Sequence, residues 1–457
     1  MLSAEDNDIL CRVGPGSPMG NVMRQYWVPA VRSDELPGPD SPPLRLMLLG
    51  EKLIAFRMTS GKVGVIQNSC PHRGASLFFG RNEEEGLRCV YHGWKFDETG
   101  ACVDMPSEPA ESNFKNKVHG TAYPTHERNG VIWTYMGPRE VPPPLPEIEH
   151  NLTNTDVSRI TMILRPCNWM QGWEGEMDTV HAAFLHGGAS KAEDFEPGTF
   201  NYYQYKERSP KFSVIDTPIG TSYGAYRQAE ADTYYWRTAH MMFPFFAVIP
   251  AGWLGMYVPM DDNHTMHWEI LVRPQLEGNA QLATPQATGS LPARERGANA
   301  VAPGGPRSAG IQGGTMGPTT WLPNGTGWYD RFNIDQTMAN DYLIDREEQR
   351  QWKSYSGIRG IRQQDMAVTE SMGPIYDRTH EHLGTTDALI IRTRRKLIKV
   401  AKDFRDHGVL PPGVDNPELY HMRSGEFLLP RSVDWWDALR DRREKFDALV
   451  ERSAAKA

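Results

Sequence analysis

Cys70-Pro71-His72-Arg73-Gly74 and Cys89-Val90-Tyr91-His92-Gly93-Trp94, with sixteen residues between His72 and Cys89, are the stretches on which the fold turns. Two thiolates and two imidazoles suit either zinc or a [2Fe–2S] cluster of mixed ligation. Zinc fingers of that composition pair Cys with Cys and His with His, whereas here each arm supplies one of each. A mixed cluster needs that arrangement, because two facing β-loops deliver two thiolates to one iron and two imidazoles to the other. Gly74 and Gly93 permit the sharp loops. Ala75 closes the first arm where a disulfide-flanked cluster would place a further Cys.

Outward from the arms, the text is strand-like. Leu44–Leu49, Lys52–Met58, Lys62–Gln67, Leu87–Val90, Trp94–Phe96 and Gly130–Tyr135 are apolar-rich runs punctuated by Gly50, Ser60 and Gly61. Residues 40–147 are therefore expected to form an all-β unit preceded by an N-terminal helical segment, 1–39. The run Val141-Pro142-Pro143-Pro144-Leu145-Pro146 marks the linker, since proline continues neither helix nor central strand. In 148–457 helical spacing at Asn168–His186, Asp335–Tyr355 and Thr386–Asp406 alternates with strand-like text over 200–275. That mixture predicts an α+β unit. The Gly-, Pro- and Ala-dense stretch 277–327 has no periodicity and is expected to be a lid, a binding loop or disorder.

Composition narrows the partners. Among 457 residues the net charge is −8 with both signs interspersed, which leaves no basic footprint for nucleic acid. Met1–Leu10 lacks the charged and apolar regions of an export signal, and the five cysteines have no framework spacing. A reducing, cytoplasmic setting is expected, with Cys11, Cys102 and Cys167 as plain thiols. Met241–Val258 is uncharged and long enough to cross a bilayer. Pro244, Pro250, Gly252 and Gly255 divide it, so a buried strand pair about Pro250–Gly252 is expected instead.

A cluster alone moves electrons. The second chemical signal is Asp178-x2-His181-x4-His186, about ninety residues beyond the second arm. Histidines five apart share a helix face only where the helix distorts or ends, and Gly187-Gly188 supplies an ending. Two imidazoles and one carboxylate form the facial triad of non-haem Fe(II) sites, which leaves positions open for O2. The carboxylate must come from elsewhere, with Asp341, Asp345 and Asp365 available. His264 with His267, and His380 with His382, lack acidic or thiol partners at useful spacing and are read as structural.

With both motifs in hand, the chain resembles the phthalate dioxygenase-like group of Rieske non-haem iron oxygenases. CPHRG and YHGW are shared signatures, as are PMGNVMRQYW, NWMQGWEGEMDTVHAAFLH, NDYLIDREEQR and QQDMAVTESMGPIYDRTHEHLGTTD. The resemblance implies a Rieske β-domain followed by a helix-grip catalytic domain. It implies a Rieske [2Fe–2S] cluster on Cys70, His72, Cys89 and His92, and a mononuclear Fe(II) on His181, His186 and Asp365. Subunits of the group assemble head to tail as trimers or stacked trimers. Asp178 would then bridge His181 and His92 of the adjacent chain, while Asn168 and Gln171 would lie close to the iron.

The implied reaction takes O2 and two electrons from NADH to hydroxylate an aromatic ring, with oxidative O-demethylation as the alternative. Gly14-Pro15-Gly16 follows no strand, so no nucleotide loop is present and a separate flavin/[2Fe–2S] reductase is expected. A Rieske electron carrier without catalysis is the alternative of another class. For the substrate, alternation over Tyr234–Phe243 places Tyr235, Arg237, Ala239 and Met241 on one face. Arg237 among aromatics suits an aromatic carboxylate, with an ion pair as the other reading and Arg227 as a weaker candidate.

Overall fold

The structure, a computed structural model, describes residues 1–153, 158–188, 190–272 and 319–444. Most of 277–327 lies outside the described residues. Its described end starts beside helix Ile361–Glu370, where Gln363 Nε2 donates to Thr319 Oγ1 at 3.0 Å, and reaches the N-terminal part at Thr326, whose carbonyl accepts from Arg45 at 2.8 Å.

Three small antiparallel sheets build the N-terminal part. Leu44–Leu48, Glu51–Arg57 and Val63–Gln67 form a meander joined by Ala122–Tyr123. Four short strands between Arg81 and Asp104 form a second sheet, which carries the second cluster arm between Leu87–Arg88 and Lys95–Phe96, while the first arm follows Val63–Gln67 of the first sheet. The third sheet shows that the leading segment is more than helical. After helices Ala4–Cys11 and Pro18–Met23, Trp27–Arg32 is a strand paired with Val131–Tyr135. Its six residues are buried or nearly so, and the pairing crosses about a hundred residues of chain.

The C-terminal part is built on one eight-stranded antiparallel sheet. Thr233–Met242 is its longest strand, paired with Gly220–Gln228 on one side and with Phe246–Ile249 and Gly425–Pro430 on the other. The Met241–Val258 run lies within this sheet as expected: Phe246–Ile249 and Trp253–Pro259 pair about the Pro250–Gly252 turn. Among the described residues no helix is long and apolar enough to cross a membrane.

Helix Ala388–His407 packs on this sheet. Its buried positions Leu389, Ile390, Thr393, Leu397, Ile398 and Ala401 recur at helical spacing, and Gly408 at φ +67° ends it. Thr393 and Thr221 of the sheet exchange a hydroxyl contact at 2.5 Å. Two further helices position the site. Trp169–Met177 lies so close to Trp253–Pro259 that a Cβ at Gly172 would fall 2.5 Å from the Tyr257 ring. Ile361–Glu370 is clamped to it by Gln171, whose Nε2 donates to the Thr369 and Gly373 carbonyls at 2.8 and 2.9 Å.

The continuous helical reading of Asp335–Tyr355 is overturned. Asp341, Tyr342 and Leu343 have φ of +52°, +53° and +51°, left-handed backbone that no long helix accommodates. A 3₁₀ stretch, Met338–Leu343, and a short helix, Arg346–Arg350, stand there instead.

Candidate metal centres

The two cluster arms repeat one hydrogen-bond frame. Cys70 N donates to Ala75 O at 2.8 Å and Gly74 N to Cys70 O at 2.9 Å. Cys89 N donates to Trp94 O and Gly93 N to Cys89 O at the same distances. Gly74 and Gly93 carry the turns at φ +76° and +78°. The frame brings the His72 and His92 rings to a centroid separation of 4.4 Å, and Trp94 stacks on His72 at 4.3 Å. Cys70 and Cys89 are both buried, and burial pushes the Cys70 thiol up to about 11. The Nδ1 atoms of His72 and His92 are buried without a hydrogen-bond partner. Two buried thiols and two orphaned imidazole nitrogens are the donor set of a mixed-ligand cluster, so the residues present fit that group. Cys11, Cys102 and Cys167 are buried free thiols.

The second centre lies where helix Trp169–Met177 stops. Asp178 is its C-cap, and its Oδ1 accepts from Val180 N at 2.7 Å, which turns the chain into a short 3₁₀ element, His181–Ala183. The helix thus ends well before Gly187, and His181 and His186 project from a turn and loop rather than from a distorted helix. Their Nε2 atoms are 3.0 Å apart. Asp365, from helix Ile361–Glu370, places Oδ1 3.5 Å from His181 Nε2 and 3.2 Å from His186 Nε2. Three ligands at right angles, each about 2.1 Å from one ion, stand about 3 Å from each other. The donor set fits a facial triad. Among the described residues this is the one group of three or more metal-type side chains within 4.8 Å of one another. Asp341 is exposed, and Asp345 caps helix Arg346–Arg350 through Glu347 N and Glu348 N, so neither joins the group.

Neighbours hold the imidazoles in place. Gln364 Oε1 lies 2.6 Å from His186 Nδ1 and accepts its proton, leaving the Nε2 lone pair for a metal. Gln364 is itself held by its Nε2–H to the Ile358 carbonyl at 2.7 Å. Nothing in the sequence reading marked it, although it adjoins Asp365. Asp178 Oδ2 stands 3.6 Å from His181 Nδ1. Burial penalises both groups, but His181 offsets it at Asp178, lowering that carboxyl, and Asp178 together with Asp365 and Glu176 offsets it at His181, raising the imidazole to about 9. Glu176, two residues before Asp178, accepts from the Tyr257 hydroxyl at 2.9 Å, and burial pushes it up to about 7. Gln364→Leu should weaken iron binding about ten- to a hundred-fold, measured by chelator competition, while the cluster spectrum is unchanged. Wild-type iron retention would show that the Gln364 contact does not orient His186.

Two expected site residues stand elsewhere. Asn168 caps the opposite end of helix Trp169–Met177: its Oδ1 accepts from Met170 N, and its Nδ2 donates to the Cys11 and Asp262 carbonyls at 2.9 and 2.7 Å. Nine residues of helix, about 13 Å, separate it from Asp178, so it positions the helix and does not approach the iron. Arg237, expected to grip a substrate carboxylate, already has one inside the protein. Its Nη1 donates to Glu426 Oε1 at 2.7 Å, and its guanidinium lies 4.3 Å from the centroid of the Phe200 ring. Both partners are largely buried, which makes this an internal ion pair.

A paired-arm cluster site in a β-unit and a His-His-Asp centre at a helix end define a two-centre iron redox protein. Comparison with known proteins narrows the class. The Rieske [2Fe–2S] domain model matches residues 26–123, and the LigXa C-terminal domain like model matches 134–280 and 324–455. The chain is 44% identical to the 3-chlorobenzoate-3,4-dioxygenase oxygenase subunit of Comamonas testosteroni over 97% of this chain and 99% of that one. It is 33% identical to the phthalate 4,5-dioxygenase oxygenase subunit of Pseudomonas putida, over 96% and 94%. Among solved structures, NdmA of Pseudomonas putida CBB5 shares the fold with a TM-score of 0.52 at 18% identity, covering 87% of this chain and 96% of that one. The chain belongs to the Rieske non-haem iron oxygenases, as an oxygenase subunit of the phthalate dioxygenase-like group. It is an oxidoreductase that carries a Rieske [2Fe–2S] cluster and a mononuclear iron.

Proposed function

We propose that this subunit hydroxylates an aromatic carboxylate, with electrons from a separate NADH-dependent flavin/[2Fe–2S] reductase. Cys70, His72, Cys89 and His92 hold the cluster, and His181, His186 and Asp365 hold the iron. The observation that carries this reading is the convergence of those last three donors from two elements. The relatives' printed substrates, a chlorobenzoate and a phthalate, supply the class. In the balanced reaction an arene, O2, two electrons and two protons give a cis-dihydrodiol. The reduced iron supplies the site at which O2 is activated. The chain's residues do the rest: Gln364 and Asp178 fix the two imidazoles, and Asp365 would supply the anionic oxygen ligand that completes the iron-binding set.

The subunit is proposed to work as a head-to-tail homo-oligomer, a trimer or stacked trimers. Val90 and Tyr91 beside His92 are 58% and 53% exposed. Beside the iron donors, Phe184, Trp352 and Tyr355 form a second exposed aromatic group, with Phe184 and Tyr355 6.0 Å apart. Two apolar rims, one at each centre, suit a neighbouring copy that brings its His92 to Asp178.

Purified oxygenase with its reductase, NADH and a panel of benzoates, phthalates and methoxybenzoates tests the reaction. Products heavier by two oxygens and two hydrogens are expected from benzoates or phthalates. Products lighter by a methylene, from methoxybenzoates alone, would establish O-demethylation in its place. NADH consumption without any modified aromatic acid would overturn the substrate class.

A further inference from the structure

Glu176, a largely buried acid, lies in the last turn of helix Trp169–Met177, where the charges of Asp365 and His181 both bear on it. Its Oε1, which accepts from the Tyr257 hydroxyl, stands 4.0 Å from His267 Nε2. His267 pairs across the sheet with Tyr257, the two rings stacked at 4.1 Å, and its Nε2 is buried with no hydrogen-bond partner. On the other side of the ring, Nδ1 is 3.7 Å from Glu269 Oε1. An imidazole thus stands between two carboxyl groups in the interior. Burial holds His267 well below its ordinary value, with Arg165 and Arg362 adding to the effect, so it rests neutral with one nitrogen able to accept a proton. A buried imidazole nitrogen without a partner is costly, and it is found where chemistry uses it.

The backbone leaves room for a step between Glu176 and His267. Gly255 lies two residues before Tyr257 on strand Trp253–Pro259 and pairs with Glu269. A Cβ at Gly255 would stand 3.3 Å from His267 Nε2 and 3.6 Å from Glu176 Oε1, in contact with both. Glycine leaves that space to the two polar atoms. Their separation exceeds a direct hydrogen bond and is within reach of one made through a single water. At the outer end Arg362 pairs with Glu269, its Nε at 3.1 Å, and its guanidinium lies 5.9 Å from the ring of the exposed Trp321. Glu269, His267 and Glu176 therefore lead inward from beneath Trp321 to the iron donors.

Two protons enter with each O2 consumed, whether an arene is hydroxylated or a methyl group removed. We propose that Glu176 and His267 form a proton relay that delivers one of them. The Glu176 carboxyl releases its proton towards the iron donors and regains one from the Nε2–H of His267, which takes the replacement at Nδ1 from the Glu269 side. One proton enters for each released, and no electron moves. His267, structural in the sequence reading, thereby gains a part in the reaction. The relay rests on proton uptake with O2 and not on which aromatic is the substrate.

Turnover of the holo-oxygenase with its reductase in H2O and in D2O tests the relay, on the aromatic acid of the panel that the wild type converts. Glu176→Gln keeps the shape and an acceptor for Tyr257, and should lower kcat about a hundred-fold with KM within about two-fold. Gly255→Ala removes no ionisable group, yet its methyl stands in the step between Glu176 and His267. Its kcat should fall about ten-fold and its solvent isotope effect should rise. Glu176→Asp, which keeps the acid on a shorter arm, should lie between Glu176→Gln and the wild type. Visible spectra and iron content report that the variants are folded and loaded. Wild-type kcat and isotope effect in Gly255→Ala, or a loss in Glu176→Gln that only follows lost iron, overturns the relay. If Glu176→Gln does not fold, Gly255→Ala decides. Infrared spectra of the mildly acidic holoenzyme give a reading that needs no substrate. A buried carboxyl band should vanish in Glu176→Gln and exchange with D2O more slowly in Gly255→Ala, and a spectrum without that band overturns the relay. A wild type that converts no acid of the panel overturns the substrate class instead, and the infrared result then decides the relay.

Discussion

Asp365→Ala is expected to abolish turnover and empty the mononuclear site, while the Rieske spectrum stays at full intensity. Two neutral imidazoles bind Fe(II) weakly, and no neighbouring acid can replace the lost oxygen. Asp178 points at His181 Nδ1, on the far side of the ring from the shared Nε2 position. Glu176 is engaged by Tyr257. Iron per chain should fall from about three towards two, since the cluster accounts for the remainder. The two centres have separate donor sets, one on loops of the N-terminal β-unit and the other on a turn, a loop and a helix of the C-terminal part, so loss of one does not disturb the other. A variant that keeps three irons per chain and wild-type activity would remove Asp365 from the ligand set.

How much of this was legible before the structure depended on the distance over which each feature is specified. The cluster arms were legible in full, because two short loops must supply every donor and the glycines that bend them. His181 and His186 were legible for the same reason. Asp365 lies about 180 residues from His186, and the sequence alone left it level with Asp341 and Asp345. Only the resemblance separated them, and the geometry agrees. Gln364 was not legible, since nothing local distinguishes a glutamine that orients a histidine from one that faces solvent.

The misreadings share a physical cause. Asn168 lies in the same segment as Asp178, but nine residues of helix set the two at opposite ends. The Arg237 alternation was right, yet the face it shares also receives Glu426 from a strand far along the chain. Trp27–Arg32 was read as part of a helical segment because its strand partner, Val131–Tyr135, lies beyond any local window. Three left-handed residues broke the Asp335–Tyr355 pattern, and hydrophobic periodicity does not report backbone handedness.

Asp178→Ala tests the proposed assembly and electron path together. The variant should keep both metal centres largely occupied, because Asp178 is a donor to neither. It should also keep its fold: the side chain is about a third exposed, and its backbone contacts shape one turn. Added reductant should bleach the cluster at the wild-type rate, since that step does not pass Asp178. What should fail is oxidation of the reduced cluster in a single turnover with substrate and O2. In the wild type the carboxylate is placed to hold the His181 tautomer and, across the subunit boundary, to accept from His92 of the adjacent copy. Without it neither imidazole is fixed and the bridge between the centres is gone, so the cluster stays reduced and product is not formed. Stopped-flow absorbance of the cluster, read beside product yield, measures this directly. Asp178→Asn keeps a side chain of the same shape without the charge, and should keep the assembly without recovering the rate. Reoxidation of the alanine variant at the wild-type rate, coupled to product, would take the bridge away from Asp178 and leave the exposed rims as the support for a head-to-tail assembly.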